Sequence, residues 1–286
     1  MYSEIIAPKR FVAVSHNGNN RIMYSSDGIN WTAKAAPGTD LCTWQRVIFA
    51  NNRFMACGNV SGGGNEGMYS YDGVNWVSID IGGTNTGQYW RGIAYGNGIW
   101  AVCSTDGGNI LSEAMWGYST NDGASWTKPF DFGMITNQAY IDIAYGNNMW
   151  VAISSSTSGH TLVYTSDITD PLSWTAVTVT SGVSHQSIVF RNGYFVAVGY
   201  SGSIIYSTDG INWNSLTSSE ANVWLDVDYF DGKFVAVGMT GTNRVMYSSI
   251  ATAKRFVAVS KTGTNRVMYS SDGITWTSAS AAEQNG

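Results

Sequence analysis

Residues 44–57 read Trp44-Gln-Arg-Val-Ile-Phe-Ala-Asn-Asn-Arg-Phe-Met-Ala-Cys57, and they predict two strands joined by a tight turn. The stretch from Trp44 to Ala50 has the aromatic and β-branched residues of a strand, and Asn51-Asn52 suits a two-residue hairpin turn. The second strand is apolar at consecutive positions instead of alternate ones. This pattern is typical of a sheet that is covered on both faces.

The apolar core of that second strand recurs seven times along the chain. Its copies begin at residues 11, 54, 100, 150, 195, 234 and 256, so they are 43, 46, 50, 45, 39 and 22 positions apart. The first five intervals average about 45 residues, the length of a four-stranded propeller blade. We therefore predict an all-β chain in which residues 1–286 form a single β-propeller domain of four-stranded antiparallel blades.

The number of blades is open at this level. Residues 1–37 match residues 246–282 without a gap, with 24 identities. Ser249 is followed directly by Ile250, without the Asp-Gly turn and fourth strand of the other repeats. Seven blades with an abbreviated sixth are favoured, and six blades with an appended or exchanged half-blade are the alternative.

Composition excludes several classes of protein. A hydrophobic fraction of 44% excludes disorder, and 33 Gly, 12 Trp and 16 Tyr indicate a turn-rich, aromatic-rich chain. The net charge of -5 provides no basic field for phosphate, so we expect no nucleic-acid partner. We also expect no membrane insertion, since no apolar run approaches the roughly 20 residues that span a bilayer, and no Sec signal, since Met1-Tyr-Ser-Glu-Ile-Ile-Ala-Pro has no basic region followed by an apolar stretch.

The turn between the third and fourth strands has its own motif, Ser25-Ser-Asp-Gly-Ile-Asn-Trp31. In such a turn the Asp side chain accepts backbone hydrogen bonds, Gly supplies a positive φ, and we expect the Trp ring to wedge into the apolar space below. The motif recurs, and it predicts structural roles for Asp27, Trp31, Asp72, Trp76, Asp122, Trp126, Asp209, Trp213, Asp272 and Trp276.

These turns resemble the Asp-box, or BNR, repeats of sialidases, of photosystem II assembly factors and of phage and bacterial surface propellers. Most copies are one residue shorter than the usual Ser-x-Asp-x-Gly-x-Thr-Trp spacing. The copy at Ser119 has the full length, with Asn121 in place of the Asp. The resemblance implies a propeller in which the box is a structural turn, distant from the active face.

No catalytic constellation is evident in the sequence. A sialidase of the resembling family needs an arginine cluster and a Tyr–Glu pair, whereas Arg21, Arg244 and Arg266 occupy one repeated position, which indicates a structural role. The three histidines have no metal-ligand spacing. Cys57 and Cys103 take the place of Val14 in the repeat, which predicts small buried hydrophobes. We expect a non-enzymatic protein without metal or cofactor.

The repeats differ at two positions of the first strand. Five residues before the aromatic that ends each first strand, the residues are Trp44, Trp90, Tyr140, His185 and Trp224. Two residues further on, they are Arg46, Gly92, Asp142, Ser187 and Asp226. First strands line a propeller's channel, so we expect the first set to be an exposed stacking surface at one channel mouth, beside the charged residues of the second. The alternative is that the first set forms wedges between blades.

A stacking role predicts that Trp76→Ala destabilises more than at least two of Trp44→Ala, Trp90→Ala and Trp224→Ala. The predicted ligand contacts are Trp44, Arg46, Trp90, Tyr140, Asp142, His185, Trp224 and Asp226. Because Ser, Thr, Asn and Gly are abundant, we expect an extracellular or virion-associated module that binds a glycan, a protein receptor or other structural subunits. The alternatives are a sialidase-type hydrolase and an intracellular assembly scaffold.

Overall fold

The chain is all-β, as the repeats predict. The computed structural model describes residues 10–37, 42–60, 66–81, 89–105, 116–129, 139–155, 162–177, 179, 183–218, 220–230, 233–242, 244–248, 256–259, 267–270 and 277–279. Within these ranges there are 24 strands, and the helical structure is a single 3-10 turn, Tyr200–Gly202. None of the described helical residues belongs to a helix long and apolar enough to cross a bilayer.

The strands form seven antiparallel sheets in the described part of the chain, and each sheet contains consecutive strands. The first three sheets are β1 (Phe11–Val14), β2 (Ile22–Ser25) and β3 (Thr32–Lys34); β4 (Cys42–Ala50), β5 (Arg53–Val60), β6 (Gly67–Ser70) and β7 (Val77–Ile79); and β8 (Tyr89–Gly96), β9 (Ile99–Thr105) and β10 (Trp116–Ser119).

Four sheets follow in the second half of the chain. They are β11 (Tyr140–Gly146), β12 (Met149–Ser154), β13 (Leu162–Thr165) and β14 (Thr175–Val177); β15 (His185–Arg191), β16 (Tyr194–Gly199), β17 (Ser203–Ser207) and β18 (Asn214–Thr217); β19 (Trp224–Phe230), β20 (Lys233–Gly238) and β21 (Val245–Tyr247); and β22 (Phe256–Val259), β23 (Val267–Ser270) and β24 (Thr277–Ala279).

Residue contacts divide the chain into two compact units. One comprises residues 1–143 and 165–175, and the other comprises residues 144–164 and 176–286. The abbreviated sixth repeat is visible in the second unit, because β19–β21 has three strands and β22–β24 repeats only the second, third and fourth. The number of blades, and the assignment of all 286 residues to one domain, stay predictions.

Tight hairpin turns join the first and second strands, as their sequences predict. Asn51 and Asn52 have φ values of 46° and 58°, and Asn192 and Gly193 have 51° and 80°. Positive φ at both central residues is the requirement of the turn that matches the twist of paired strands, and Asn and Gly tolerate it best.

A β-bulge interrupts the first strand in four sheets. In β4 the Cα partner of Trp44 is Gly58, while the partner of Arg46 is Cys57, so Gln45 is the extra residue. Because Gly58 and Cys57 are successive and point to opposite faces, Trp44 and Arg46 do so as well. The same shift occurs between Trp90 and Gly92, His185 and Ser187, and Trp224 and Asp226.

The core of each unit lies between neighbouring sheets. In the first unit Met55, Cys57, Trp90 and Trp100 belong to one buried cluster. In the second unit Val196, Trp224, Val227 and Ala236 belong to another. Cys57 and Cys103 are buried and free, as their place in the repeat predicts. Burial raises the pKa of both thiols, so neither is a ready nucleophile.

Candidate binding site at the bulges of the first strands

The expected exposure of the aromatic position is wrong. The relative exposures of Trp44, Trp90, Tyr140, His185 and Trp224 are 3%, 0%, 2%, 0% and 1%. In the four strands with a described bulge, the bulge places this side chain on the face that packs against a neighbouring sheet. These residues are therefore wedges of the core, which is the alternative interpretation, and they offer no surface for stacking.

Small residues opposite the bulge make room for these wedges. Gly58, Ser104, Gly199 and Gly238 are the Cα partners of Trp44, Trp90, His185 and Trp224. A Cβ built on Gly58 would lie 2.6 Å from the carbonyl oxygen of Thr43, and one built on Gly199 would lie 2.2 Å from that of Ser184. The backbone of the paired strand thus approaches the bulge too closely for a side chain at either position.

The polar position behaves differently, and in the first unit it forms an ion pair. Arg46 Nη2 lies 3.0 Å from Asp142 Oδ2, with 24% of the Arg46 side chain and 1% of the Asp142 side chain exposed. The N–H of Ile143 donates to Asp142 Oδ1 at 3.0 Å. Gly92 lies beside the pair, because a Cβ added to it would be 2.7 Å from the Asp142 Cα and 2.6 Å from the Cys103 Sγ. Its lack of a side chain lets β11 approach β8.

The second unit has a matching polar contact. Ser187 Oγ donates to Asp226 Oδ1 at 2.7 Å. Ser187 is fully buried, whereas Asp226 is exposed. The predicted site residues are thus brought together in two pairs, Arg46 with Asp142 and Ser187 with Asp226.

Sequence reasoning missed the bulged residues themselves. Arg91 and Leu225 are exposed, and Gln45 and Gln186 are half-buried. Gln45 Nε2 donates to the Thr43 carbonyl at 3.4 Å, and Gln186 Nε2 donates to Ser184 Oγ at 3.3 Å. The sequence signal for the bulge was the aromatic-x-polar triplet at the start of each first strand. In a regular strand the two outer residues of this triplet would lie on the same face, so the pattern alone does not reveal the bulge.

His185 is the titratable member of the wedge position. Its Nε2 lies 3.2 Å from Ser203 Oγ, and burial lowers its pKa from 6.5 to about 4. Protonation therefore costs free energy in the folded chain, and the unfolded chain takes up the proton first as the pH falls. The contribution of His185 to stability is complete above pH 6.5 and is lost as the pH falls towards 4.

We expect acid destabilisation above pH 4 to depend on this histidine. A shift from 6.5 to about 4 corresponds to about 3 kcal/mol of unfolding free energy lost across that window. The three other bulged strands have Trp at this position, opposite a small partner like the one opposite His185. In His185→Trp this pH-dependent loss of unfolding free energy should therefore disappear. Denaturant unfolding at successive pH values measures it, and equal pH dependence in both proteins would contradict the assignment.

The box turns are stabilised by hydrogen bonds between residues of the same turn. In the first, Ser25 Oγ donates to Asp27 Oδ1, and the N–H groups of Ile29 and Asn30 donate to the same oxygen, all at 2.8 Å. The backbone hydrogen bonds lower the pKa of Asp27. In the second box burial acts to raise the pKa of Asp72, but hydrogen bonds from Asn75 and Val74 outweigh it and lower the pKa to about 2.

The box tryptophans are less buried than we expected. The relative exposure of Trp31 is 41%, and Trp76, Trp126 and Trp213 are half-buried. Trp31 Nε1 donates to the Gly28 carbonyl at 3.2 Å, and Trp213 Nε1 donates to that of Gly210 at 3.1 Å. The expectation of a wedged ring is thus wrong for Trp31, which covers its own turn. Asp209 has the bonds of Asp27, and Asp272 and Trp276 lie outside the described residues.

Asp122 does not have the box role predicted for it. In this longer turn Asn121 Oδ1 accepts from Ser119 Oγ and from the N–H of Ser125. The extra residue moves Asp122 outward, at φ 62°, where it pairs with the buried guanidinium of Arg53. Trp100 Nε1 also donates to Asp122, at 2.9 Å. Asp122 therefore links its turn to the start of β5.

Metal chemistry finds no support in the side chains that the structure describes. Among them, no group of three or more His, Cys, Asp or Glu residues could hold a metal ion. His16 is exposed and lies 3.3 Å from Asn17 Oδ1, while His160 is outside the described residues.

Comparison with solved structures gives the fold. YCF48 bound to D1 peptide has a TM-score of 0.56 at 16% identity, over 95% of this chain and 77% of that one. A nidogen/laminin complex gives 0.54 at 10% identity, over 80% and 85%. YCF48 from Cyanidioschyzon merolae gives 0.51 at 12% identity, over 85% and 86%. With its sheets of three or four antiparallel strands, the chain is a β-propeller.

A family model points the same way for part of the chain. Residues 120–258 match the DUF6242 beta propeller domain. A search of curated proteins gives no match.

Proposed function

We propose that this chain is a non-enzymatic binding module, built from Asp-box repeats, that recognises a protein segment at the bulge end of its sheets. The bulge end is defined as the end at which β4, β8, β15 and β19 begin, and the turn end is the opposite one, with the Asn turns and box turns. The observation that supports this proposal is that the residues at the polar and bulged positions of the first strands differ from sheet to sheet, while the residues at the structural positions around them repeat.

Loop lengths support the bulge end as the more variable end of each sheet. The turn end has two-residue Asn-Asn or Asn-Gly turns, as between β4 and β5 or between β15 and β16, and box turns of six residues, as between β6 and β7 or between β17 and β18, with one of nine between β13 and β14. At the bulge end, three residues separate β16 from β17, six separate β5 from β6, and ten separate β9 from β10. Binding residues are concentrated on such variable loops beside a rigid scaffold.

The chemistry of the first unit suits an acidic ligand group. Arg91 is exposed at the β8 bulge, and Tyr89, with a relative exposure of 37%, begins the same strand. A guanidinium can bind a carboxylate through two parallel hydrogen bonds, and the Tyr ring offers apolar area beside it. We propose an extended peptide with an acidic side chain at Arg91.

The similar propellers favour a protein ligand over a glycan. One is described as bound to D1 peptide and another as a nidogen/laminin complex, so in both cases the partner is a polypeptide. The sequence offers no arginine cluster or nucleophile for a sialidase-type hydrolase. A place on a cell surface or virion, and a role in assembly inside a cell, both accord with peptide binding.

Parallel peptide and glycan arrays test the proposal. We expect the full chain to bind acidic peptides and to turn over no aryl glycoside, sialosides included. Arg91→Ala should weaken peptide binding, whereas Arg191→Ala should not, since Arg191 is an exposed arginine at the turn end, 3.8 Å from Asp228. Binding confined to glycans, or glycoside turnover, would contradict it.

A further inference from the structure

Box turns pack by a common rule. In three boxes the Gly lies on the second residue of the repeated apolar core, in the second strand of the preceding sheet. A Cβ added to Gly73 would be 2.9 Å from Val12 Cγ2, and one added to Gly210 would be 2.9 Å from Val151 Cγ2. For Gly123 the nearest atom is Met55 Cε, also at 2.9 Å. Each of these three boxes thus fills the space over the sheet before it.

The rule fails once in the described part of the second unit. The corresponding residue of β16 is Val196, and the next sheet, β19–β21, has no box because Ile250 follows Ser249. A cavity of about 420 Å³ lies between the two sheets. Val196, Ile204 and Leu216 line one side of it, and Phe234, Ala236 and Met246 line the other.

The chain contains a second copy of the strands beside this cavity. Residues 234–249 and 256–271 are identical at 14 of 16 positions, and residues 240–249 and 262–271 are identical throughout. The second copy continues into Asp272-Gly-Ile-Thr-Trp276, the box that the first copy lacks, and then into β24.

The two copies also have the same register. Ala236 pairs with Met246, and Ala258 pairs with Met268, at the same offset along the chain. The sheet β19–β21 has first, second and third strands, and β22–β24 has second, third and fourth strands. With β22–β24 beside it, β19 would belong to a complete sheet of four strands, like β15–β18.

We propose that β22–β24 of the same chain competes with β20–β21 for β19, and that its box then occupies the cavity over Val196. The strands are interchangeable because four successive residues that pair with β19, at positions 234–237, recur at positions 256–259, while Gly238 opposite Trp224 is replaced by Ser260, a small residue like Ser104 opposite Trp90. The exchange completes the sheet and supplies the missing Gly contact. The tether between the copies is short, which makes the intramolecular exchange favourable over exchange between chains.

Disulfide trapping distinguishes the two pairings. Val227 is the Cα partner of Ala236, and by the repeat its partner in the exchanged arrangement is Ala258. In Val227→Cys/Ala258→Cys we expect a disulfide within the monomer, found by peptide mass mapping after oxidation. Val227→Cys/Ala236→Cys is the matched control, which reports the pairing with β20. A link in the control pair alone would overturn the exchange, and a 227–258 link between two chains would overturn its assignment to one chain.

Deletion of residues 234–255 provides a second measurement that requires no new cysteine. It joins Lys233 to Phe256 and leaves Lys-Phe-Val-Ala-Val, the ordinary second-strand sequence, followed by a complete box. We expect this variant to fold with a melting temperature no lower than that of the full chain. A lower melting temperature would show that the second copy does not replace the first.

Discussion

Trp90→Ala is expected to lower the free energy of unfolding by about 3–5 kcal/mol, the range for removing a large buried aromatic. Trp90 has no exposed surface, and it packs in a cluster with Met55, Cys57 and Trp100. The surrounding residues cannot move easily to fill the space that Trp90 leaves, because the sheets on both sides are held by their own hydrogen bonds. Denaturant unfolding measures the loss.

The matched comparison is with the box. Trp31 is 41% exposed and its indole N–H donates to the carbonyl of its own turn, so Trp31→Ala should cost about 1 kcal/mol or less. This order is the reverse of the one that an exposed aromatic ring predicts. Equal losses in Trp31→Ala and Trp90→Ala would contradict the assignment of Trp90 as a core wedge. Trp90→Phe should lose less than Trp90→Ala, because it keeps most of the buried ring.

Arg46→Met is expected to destabilise by a comparable amount, about 3–5 kcal/mol, because it removes the cationic partner of a buried carboxylate. Asp142 is 1% exposed and cannot turn to solvent, whereas Arg46 is 24% exposed and can. Asp142→Asn should therefore cost less than Arg46→Met. The double variant Arg46→Met/Asp142→Asn should recover much of the stability, since no buried charge is left.

A pH series adds an independent check of the pair. In Arg46→Met the destabilisation should shrink as the pH falls, because protonation of Asp142 removes the buried charge. If Arg46→Met costs no more than the double variant at neutral pH, the ion pair is not a determinant of stability.

Much of the fold was predictable because the repeat is short and its turns have strict chemistry. Asn51-Asn52 and the Asp27 turn require particular residues, so their positions along the chain fix where strands begin and end. Burial of Cys57 followed from its place in the apolar core. These features are local, and a local pattern is visible in one copy of the repeat.

The candidate site was less predictable because it depends on a register shift. A bulge adds one residue, Gln45 in β4, and reverses the face of every residue before it. Trp44 therefore lies on one face of the sheet, while Arg46 lies on the opposite face, where it meets Asp142. A similar shift of one residue gave Asn121 the box role and moved Asp122 to Arg53. In both cases the residue types were informative and their directions were not.

Hydroxyl-radical footprinting, with and without an acidic peptide selected on the array, tests the binding face most directly. Tyr89 and Leu225 are exposed at the bulge ends of their sheets, by 37% and 40%. Tyr194 and Tyr71, exposed by 37% and 61%, lie at the turn ends and serve as controls. We predict that the peptide protects Tyr89 from oxidation and leaves Tyr71 and Tyr194 unchanged. Protection of Tyr71 or Tyr194, with Tyr89 and Leu225 still oxidised, would contradict recognition at the bulge end.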